Sequence, residues 1–282
     1  MSIYYIKGGI SVADTRPIGV FDSGLGGLTV VKELIAALPG ENIIYFGDTD
    51  RVPYGTKSKE TIIKFARQDE TFLLSKDVKL IVAACGTVSS VASCTAKELP
   101  VPFIEVVSHA CKAAVKATKN GKIGVIGTNA TIGSGEHRRQ ITELLPTASV
   151  TCESCTLFVP MVESGWIDEN DIVVYEMVKK YLTPMIDAGV DTLILGCTHY
   201  PILAPVIKKV MGDNVTLINA GTFTALAVKE TLEKNGLLSN KDKGEQTYFV
   251  SDITPSFSKI ASILLGDTTN EIKVEKVDIN VV

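Results

Sequence analysis

The sequence lacks any apolar run near the roughly 20 residues a membrane-spanning helix needs. Its opening, Met1 to Pro17, has no cationic stretch followed by an apolar one, so no signal peptide is expected. Charge of one sign is also scarce. There are 28 Lys and Arg against 32 Asp and Glu, a net charge of −4. That balance gives no electrostatic reason to expect nucleic acid as the main partner. With 6 cysteines in 282 residues, the chain is too poor in cysteine for a disulfide scaffold. The expected compartment is therefore the cytoplasm, with reduced thiols that are either packed in the core or chemically active. No Pro- or Ser-rich linker interrupts the chain. What remains is ordinary globular composition, 45% apolar and 21% charged, which excludes disorder over the whole length. The length suggests about two domains.

Short apolar runs alternate with longer amphipathic stretches. The runs are Ile18-Gly-Val-Phe21, Ile43-Ile-Tyr-Phe46, Leu80-Ile-Val-Ala83, Phe103-Ile-Glu-Val-Val107, Ile123-Gly-Val-Ile126 and Leu193-Ile-Leu195. Each is near-continuously apolar, as strands buried on both faces of a parallel sheet are. Between them, Ile62, Phe65, Ala66, Phe72 and Leu73 fall on one helical stripe over 58–76. Val174, Met177, Val178, Tyr181, Leu182 and Met185 do the same over 171–188. Pro184 is expected to kink or end that second helix. The alternation predicts an α/β protein with parallel sheets.

A weak internal repeat runs through it. Ile18-Gly-Val20 returns as Ile123-Gly-Val125, and a strand ending at Cys85 returns as one ending at Cys197. The paired order suggests two similar, duplicated open-sheet domains that pack closely.

In open α/β sheets, ligands bind beyond the carboxyl ends of strands. That rule selects Asp22-Ser-Gly-Leu-Gly-Gly27, Gly47-Asp-Thr49, Cys85-Gly-Thr87 and Cys197-Thr-His-Tyr-Pro201. The glycine-rich turn could present backbone N–H groups to an anion, or it is a tight turn and nothing more. It is neither a dinucleotide fingerprint nor a P-loop. Cys85 and Cys197 both end strands and precede expected helix starts, a position that lowers a thiol pKa. Two such thiols on repeated halves suggest a pair facing one site. Cys94 and Cys111 are expected in helices, as core residues. Cys152-Glu-Ser-Cys155 lacks a second ligand pair for zinc, and it runs into an apolar stretch where a redox motif would open a helix. No metal is expected. His109 and His137 are expected in helices, structural or exposed. Glu163 follows an apolar run and could polarise a neighbour or be solvated. The Cys197–His199 pair also suits a nucleophilic hydrolase or amidase.

These motifs, with Gly47-Asp-Thr-Asp-Arg-Val-Pro-Tyr-Gly55 and Phe158-Val-Pro-Met-Val-Glu163, closely resemble the glutamate racemases of the cofactor-independent amino-acid racemase superfamily, in order and in spacing. The resemblance implies interconversion of L- and D-glutamate without a cofactor, supplying D-glutamate for peptidoglycan. It implies two lobes, residues 1–108 with 221–282 carrying Cys85 and residues 109–220 carrying Cys197, with the site in the cleft between them. It makes Cys85 and Cys197 the two proton carriers, assisted by Asp22, His199 and Glu163. It places substrate contacts on Asp22, Ser23, Tyr54, Gly55, Gly86, Thr87, Thr198 and His199. It also implies a homodimer, with neither nucleic acid nor membrane as partner. Gly86 stands where the family usually has asparagine, so a substrate-binding amide is absent. That keeps another substrate, such as aspartate, as an alternative, alongside the hydrolase and a non-catalytic binder.

Overall fold

The computed structural model describes residues 3–6, 9–253, 257–266 and 272–279. An antiparallel hairpin comes first, β1 (Ile3–Ile6) with β2 (Gly9–Val12). Strands and helices then alternate as β3 (Ile18–Asp22), α1 (Leu28–Ala37), β4 (Ile43–Gly47), α2 (Lys59–Ser75), β5 (Leu80–Ala83), α3 (Gly86–Val91), β6 (Phe103–Glu105) and α4 (Val106–Ala117). A second run holds β7 (Lys122–Gly127), α5 (Asn129–Gly133), α6 (Glu136–Leu144), β8 (Ser149–Ser154), α7 (Phe158–Glu163), α8 (Ile172–Ala188), β9 (Thr192–Leu195), α9 (Ala204–Met211) and β10 (Thr216–Asn219). The chain returns through α10 (Ala220–Asn235) to β11 (Gln246–Val250), α11 (Phe257–Leu265) and β12 (Val274–Lys276).

Two parallel sheets result. One has six strands in the order β12-β11-β4-β3-β5-β6, the other four in the order β8-β7-β9-β10. The order β4-β3-β5-β6 of the first sheet is repeated by β8-β7-β9-β10 of the second. The Ile-Gly-Val repeat therefore occupies the same sheet position twice, on β3 and β7. Its glycine has the same reason in both places. A Cβ at Gly19 would stand 3.0 Å from Val78, and one at Gly124 2.8 Å from Leu193 and 2.9 Å from Met185.

Apolar residues cover both faces of the larger sheet, which is why its strands do not alternate with polar residues. Ile18, Val20, Tyr45, Leu80 and Val82 belong to the core shared with α1, α4 and α10. Phe21, Phe46, Ile81 and Ala83 join Ile62, Ala66, Phe72 and Leu73 of α2 on the other face. The α2 stripe expected from the sequence is there, capped by Ser58, whose Oγ accepts the Thr61 N–H at 3.3 Å.

Three expectations need correction. The apolar run 103–107 is not all strand. Glu105 accepts the Val107 and Ser108 N–H groups at 2.6 and 3.0 Å, and this cap turns Val106 onward into α4. Pro184 does not end α8, which runs to Ala188 and closes on Gly189 at φ 66°. Pro184 and Lys180, whose carbonyl loses its helical donor, are both exposed, so the freed carbonyl is open to solvent. Cys94 is exposed in a 3-10 turn instead of lying in the core. His137 lies in α6 as expected and takes the structural alternative: it is buried, with its Nδ1 unpartnered and burial lowering its pKa to about 4.

The boundary expected after residue 108 falls inside α4, which packs on α10 and α6 and against β9 and β10. Among the described residues, no helix is long and apolar enough to cross a membrane.

Candidate active site

The carboxyl ends of both sheets converge on one cavity of about 280 Å³. Each sheet contributes its switch point, where successive connections leave in opposite directions. In the first sheet that point lies between β3 and β5, which end at Asp22 and next to Cys85. In the second it lies between β7 and β9, which lead to Thr128 and Cys197. Ser23, Tyr54, Gly55, Cys85, Gly86, Thr87, Glu163, Cys197, Thr198 and His199 all line the cavity. Of the expected site residues, Asp22 alone is set back from it, buried behind the wall.

The Cys85 side is buried and lies beside a carboxyl group. Cys85 caps α3, and its Sγ lies 3.4 Å from Ser23 Oγ. Burial pushes this thiol up to about 12, and the Asp22 carboxylate pushes the same way; hydrogen bonds from Ser23 and from the Val88 and Ser23 N–H groups only partly oppose them. The lowering expected from a helix start is therefore overridden here. The helix has a single useful turn, whereas desolvation acts on the whole thiolate. Asp22 itself is raised by burial, against the pull of His199 and of the Gly27, Gly24 and Ser23 N–H groups. Its Oδ2 accepts from Gly24 N at 3.1 Å, while Oδ1 has no partner. Gly86 and Thr87 head α3, so their N–H groups have no partner within the helix.

The Cys197 side carries an imidazole held by a carboxylate. Cys197 is followed by a 3-10 turn, Tyr200–Leu203, and α9 starts only afterwards. His199 Nδ1 lies 4.0 Å from Cys197 Sγ, and His199 Nε2 lies 3.1 Å from Glu163 Oε1. Burial opposes the imidazolium, but Cys197 and Glu163 outweigh it and raise His199 to about 10. Both partners thus favour the protonated imidazole. Glu163 ends α7, with its side chain 43% exposed, so it stands at the rim of the cavity and not in the core. Across the cleft, Thr87 Oγ1 lies 3.1 Å from Thr128 Oγ1, which lies 3.0 Å from Thr131 Oγ1.

The remaining wall, 52–56, rests on a buried polar cluster. Arg51 Nε and Nη2 donate to Asp48 Oδ2 at 2.5 Å and Asp69 Oδ1 at 3.0 Å, and Nη1 donates to Gln68. The guanidinium also sits 4.1 Å above the Phe65 ring. The Tyr54 hydroxyl bonds Asp48 and lies 3.0 Å from Asp69 Oδ2, so it is committed away from the cavity. Tyr54 can reach a ligand by its backbone and ring only. Replacing Arg51 with Met strands two buried carboxyls. The expected cost is about 3–5 kcal/mol of stability, as for a broken buried ion pair. Urea unfolding of Arg51→Met checks it, and a loss below about 1 kcal/mol would contradict this reading of the cluster.

Residues 18–228 match the family model for Asp/Glu/hydantoin racemases. The chain belongs to the Asp/Glu/hydantoin racemase family. Within the family, it is 42% identical to the glutamate racemase of Geobacter metallireducens over 259 residues, covering 91% of this chain and 95% of that one. It is 43% identical to the glutamate racemase of Neisseria meningitidis serogroup A over 267 residues, covering 94% and 98%. The crystal structure of Francisella tularensis glutamate racemase in complex with D-glutamate superposes with a TM-score of 0.88 at 39% identity, covering 95% of this chain and all of that one.

The cavity also has lining residues that are not among the expected site residues. Thr128 and Asn129 follow β7, and Val52, Cys155, Thr156, Val159 and Pro160 close the sides. The carboxyl-end rule, applied to Ile123-Gly-Val-Ile126 as to the other runs, would have found Thr128. The sequence marks Cys155 only as half of a C-x-x-C, and the fold brings it to the wall just after β8. Among the described residues, no group of three His, Cys, Asp or Glu side chains could hold a metal ion.

Proposed function

We propose that this protein interconverts L- and D-glutamate by passing protons between two thiols on opposite faces of the α-carbon. The observation that carries this is the pairing of Cys85 and Cys197, from two repeated sheets, in one cavity with different surroundings, a buried carboxyl behind one and an imidazole beside the other. Racemisation needs a proton removed from one face and another returned to the other. A fixed substrate therefore needs two carriers in complementary protonation states.

The Cys197–His199 pair carries one proton between sulfur and imidazole, and the Glu163 carboxylate supports the imidazole as its holder. Cys197 then takes the α-proton. Cys85, kept protonated by burial and by Asp22, delivers its proton to the opposite face. The reverse reaction starts from the state this leaves, with Cys85 ionised. A thiolate whose conjugate acid lies near 12 is a strong base, suited to a weakly acidic α-proton. Asp22, itself raised by burial, can relay a proton to and from Cys85. The N–H groups of Gly86 and Thr87 and the hydroxyls of Ser23, Thr87 and Thr128 can hold the substrate carboxylates. In a cleft that excludes water, such fixed dipoles stabilise the carbanionic transition state. No proposed step calls on a cofactor.

The His199 shift sets a pH dependence. Its folded pKa, about 10, lies above the ordinary 6.5. The stabilisation from the imidazolium is thus complete below pH 6.5 and lost as pH rises through about 10. The rate for the direction begun by Cys197 is expected to fall on the alkaline side near pH 10. In Glu163→Gln, the limb moves to lower pH by about one pH unit, since one of the two groups holding the proton is gone. A pH–rate profile with an unmoved limb would contradict the role of Glu163.

The substrate itself is tested by incubating dialysed protein separately with L-glutamate and L-aspartate, followed by chiral chromatography. D-Glutamate is expected. Gly86, with no side chain to reach the substrate, favours the second reading of a different acidic amino acid. D-Aspartate without D-glutamate would establish it. We further propose that the two sheets are the cores of the lobes expected at 1–108 with 221–282 and at 109–220, that the protein is cytoplasmic, and that it forms a homodimer. Sedimentation tests the dimer.

A further inference from the structure

The glycine-rich turn before α1 is spent within the protein and not on a bound anion. The Gly24 N–H bonds Asp22, and the N–H groups of Leu28, Thr29 and Val30 close onto the carbonyls of Leu25, Gly26 and Gly27. The turn instead packs against the opposite half of the molecule. A Cβ on Gly26 would stand 2.2 Å from Thr198 Oγ1 and 2.5 Å from His199 Nδ1, far inside contact distance. Thr29 is buried, and its hydroxyl lies 2.8 Å from the Thr198 carbonyl and 2.9 Å from the Gly26 carbonyl, with one proton to share between them. Thr198 sits between Cys197 and His199. Its loop is tied to its own sheet at the two ends, by Gly196 N to Ile126 O at 2.8 Å and by the Tyr200 hydroxyl, which donates to Gly127 O at 3.0 Å. The middle of the loop is held from the other half.

We propose that Gly26 and Thr29 are positioning residues. The first turn of α1 forms a side-chain-free seat for the Cys197–His199 loop, and the Thr29 hydroxyl latches the Thr198 carbonyl into it. Neither residue lines the cavity. They act by fixing where Cys197 and its imidazole stand relative to Cys85. The proposal rests on Cys197 and His199 acting on the substrate as argued above.

The test compares Thr29→Val, Thr29→Ala and Thr29→Ser in the full chain. Two quantities are read: kcat and KM for glutamate, and the rates at which iodoacetamide alkylates Cys197 and Cys85, resolved by peptide mass spectrometry. Losing the hydroxyl is expected to lower kcat about tenfold, the worth of one buried hydrogen bond, with KM within about twofold. The Cys197 alkylation rate should change several-fold while that of Cys85 stays put. Thr29→Ser should restore all of these. Gly26→Ala should change the same two quantities by more. Should Thr29→Val fail to fold, Thr29→Ala decides. An unchanged Cys197 rate in the folded variant would overturn the proposal. So would parallel changes at both thiols, which mean general loosening, or a serine variant as impaired as the valine one. The alkylation readout is independent of turnover. A protein that seats the loop as described but does not racemise glutamate would refute the functional reading alone.

Discussion

Cys85→Ser and Cys197→Ser are each expected to abolish interconversion of the glutamate enantiomers, with kcat falling by about 10³ or more. The size follows from removing one of two obligatory proton carriers, since a single acid–base group is ordinarily worth about 10²–10⁴. A hydroxyl is close to the thiol in size but a far weaker acid, so geometry is kept and chemistry lost. The sharper expectation is asymmetry. With Cys85 replaced, Cys197 still faces one side of the α-carbon and can exchange the α-hydrogen of the enantiomer presenting it there. With Cys197 replaced, Cys85 serves the opposite enantiomer. NMR of each pure enantiomer in deuterium oxide reads this directly. Exchange of the same enantiomer by both variants would contradict the arrangement of thiols on opposite faces. Retained racemisation in either one would point to a single base, as in the hydrolase-like use of Cys197 and His199.

Gly86→Ala is expected to cost about 10²-fold in kcat/KM. A Cβ at this position would lie 2.3 Å from the Gly196 carbonyl oxygen, which belongs to backbone and cannot swing aside. The clash is relieved only if the loops carrying Cys85 and Cys197 move apart by about an ångström, and displacements of that size at a reacting centre cost about that factor. Gly86→Asn carries the same Cβ and should suffer in this chain despite the family's preference for asparagine. Steady-state kinetics on both variants check this. An asparagine variant more active than the wild type would show that the loops yield freely and that the missing amide matters more than the fit.

Much of this was legible in the sequence because it depends on local pattern. Runs such as Leu80-Ile-Val-Ala83 announce strands covered on both faces, and the chain end of each such strand is where a parallel sheet binds ligands. Cys85, Cys197, Ser23 and Thr87 were reachable that way. The unread part depends on contacts between distant segments. Asp69 and Glu70 are charged residues on the buried side of α2, which a helical stripe of apolar residues hides. Asp69 is explained by Arg51 and Tyr54, and Glu70 by its bond to Thr95 at 2.5 Å. The direction of the Cys85 shift was missed for a similar reason. A helix start is visible in sequence, but the desolvation and the Asp22 carboxylate that override it are not. The glycine-rich turn gives an anion signal locally, whereas its partner is a loop about 170 residues away, as the separation of 169 between Thr29 and Thr198 records. Cys94 misled in the opposite sense: a thiol in a helical pattern is usually buried, yet the 3-10 turn there faces outward.

The central claim is direct proton transfer at the α-carbon, and one measurement tests it most plainly. Dialysed wild-type protein is incubated with L-glutamate in deuterium oxide, and the early D-glutamate is separated and weighed by mass spectrometry. The account predicts that essentially every molecule of D-glutamate carries one solvent deuterium at the α-carbon, because the donor thiol has exchanged with the medium. D-Glutamate that retains the original hydrogen, delivered from one face to the other by a single carrier, would contradict it.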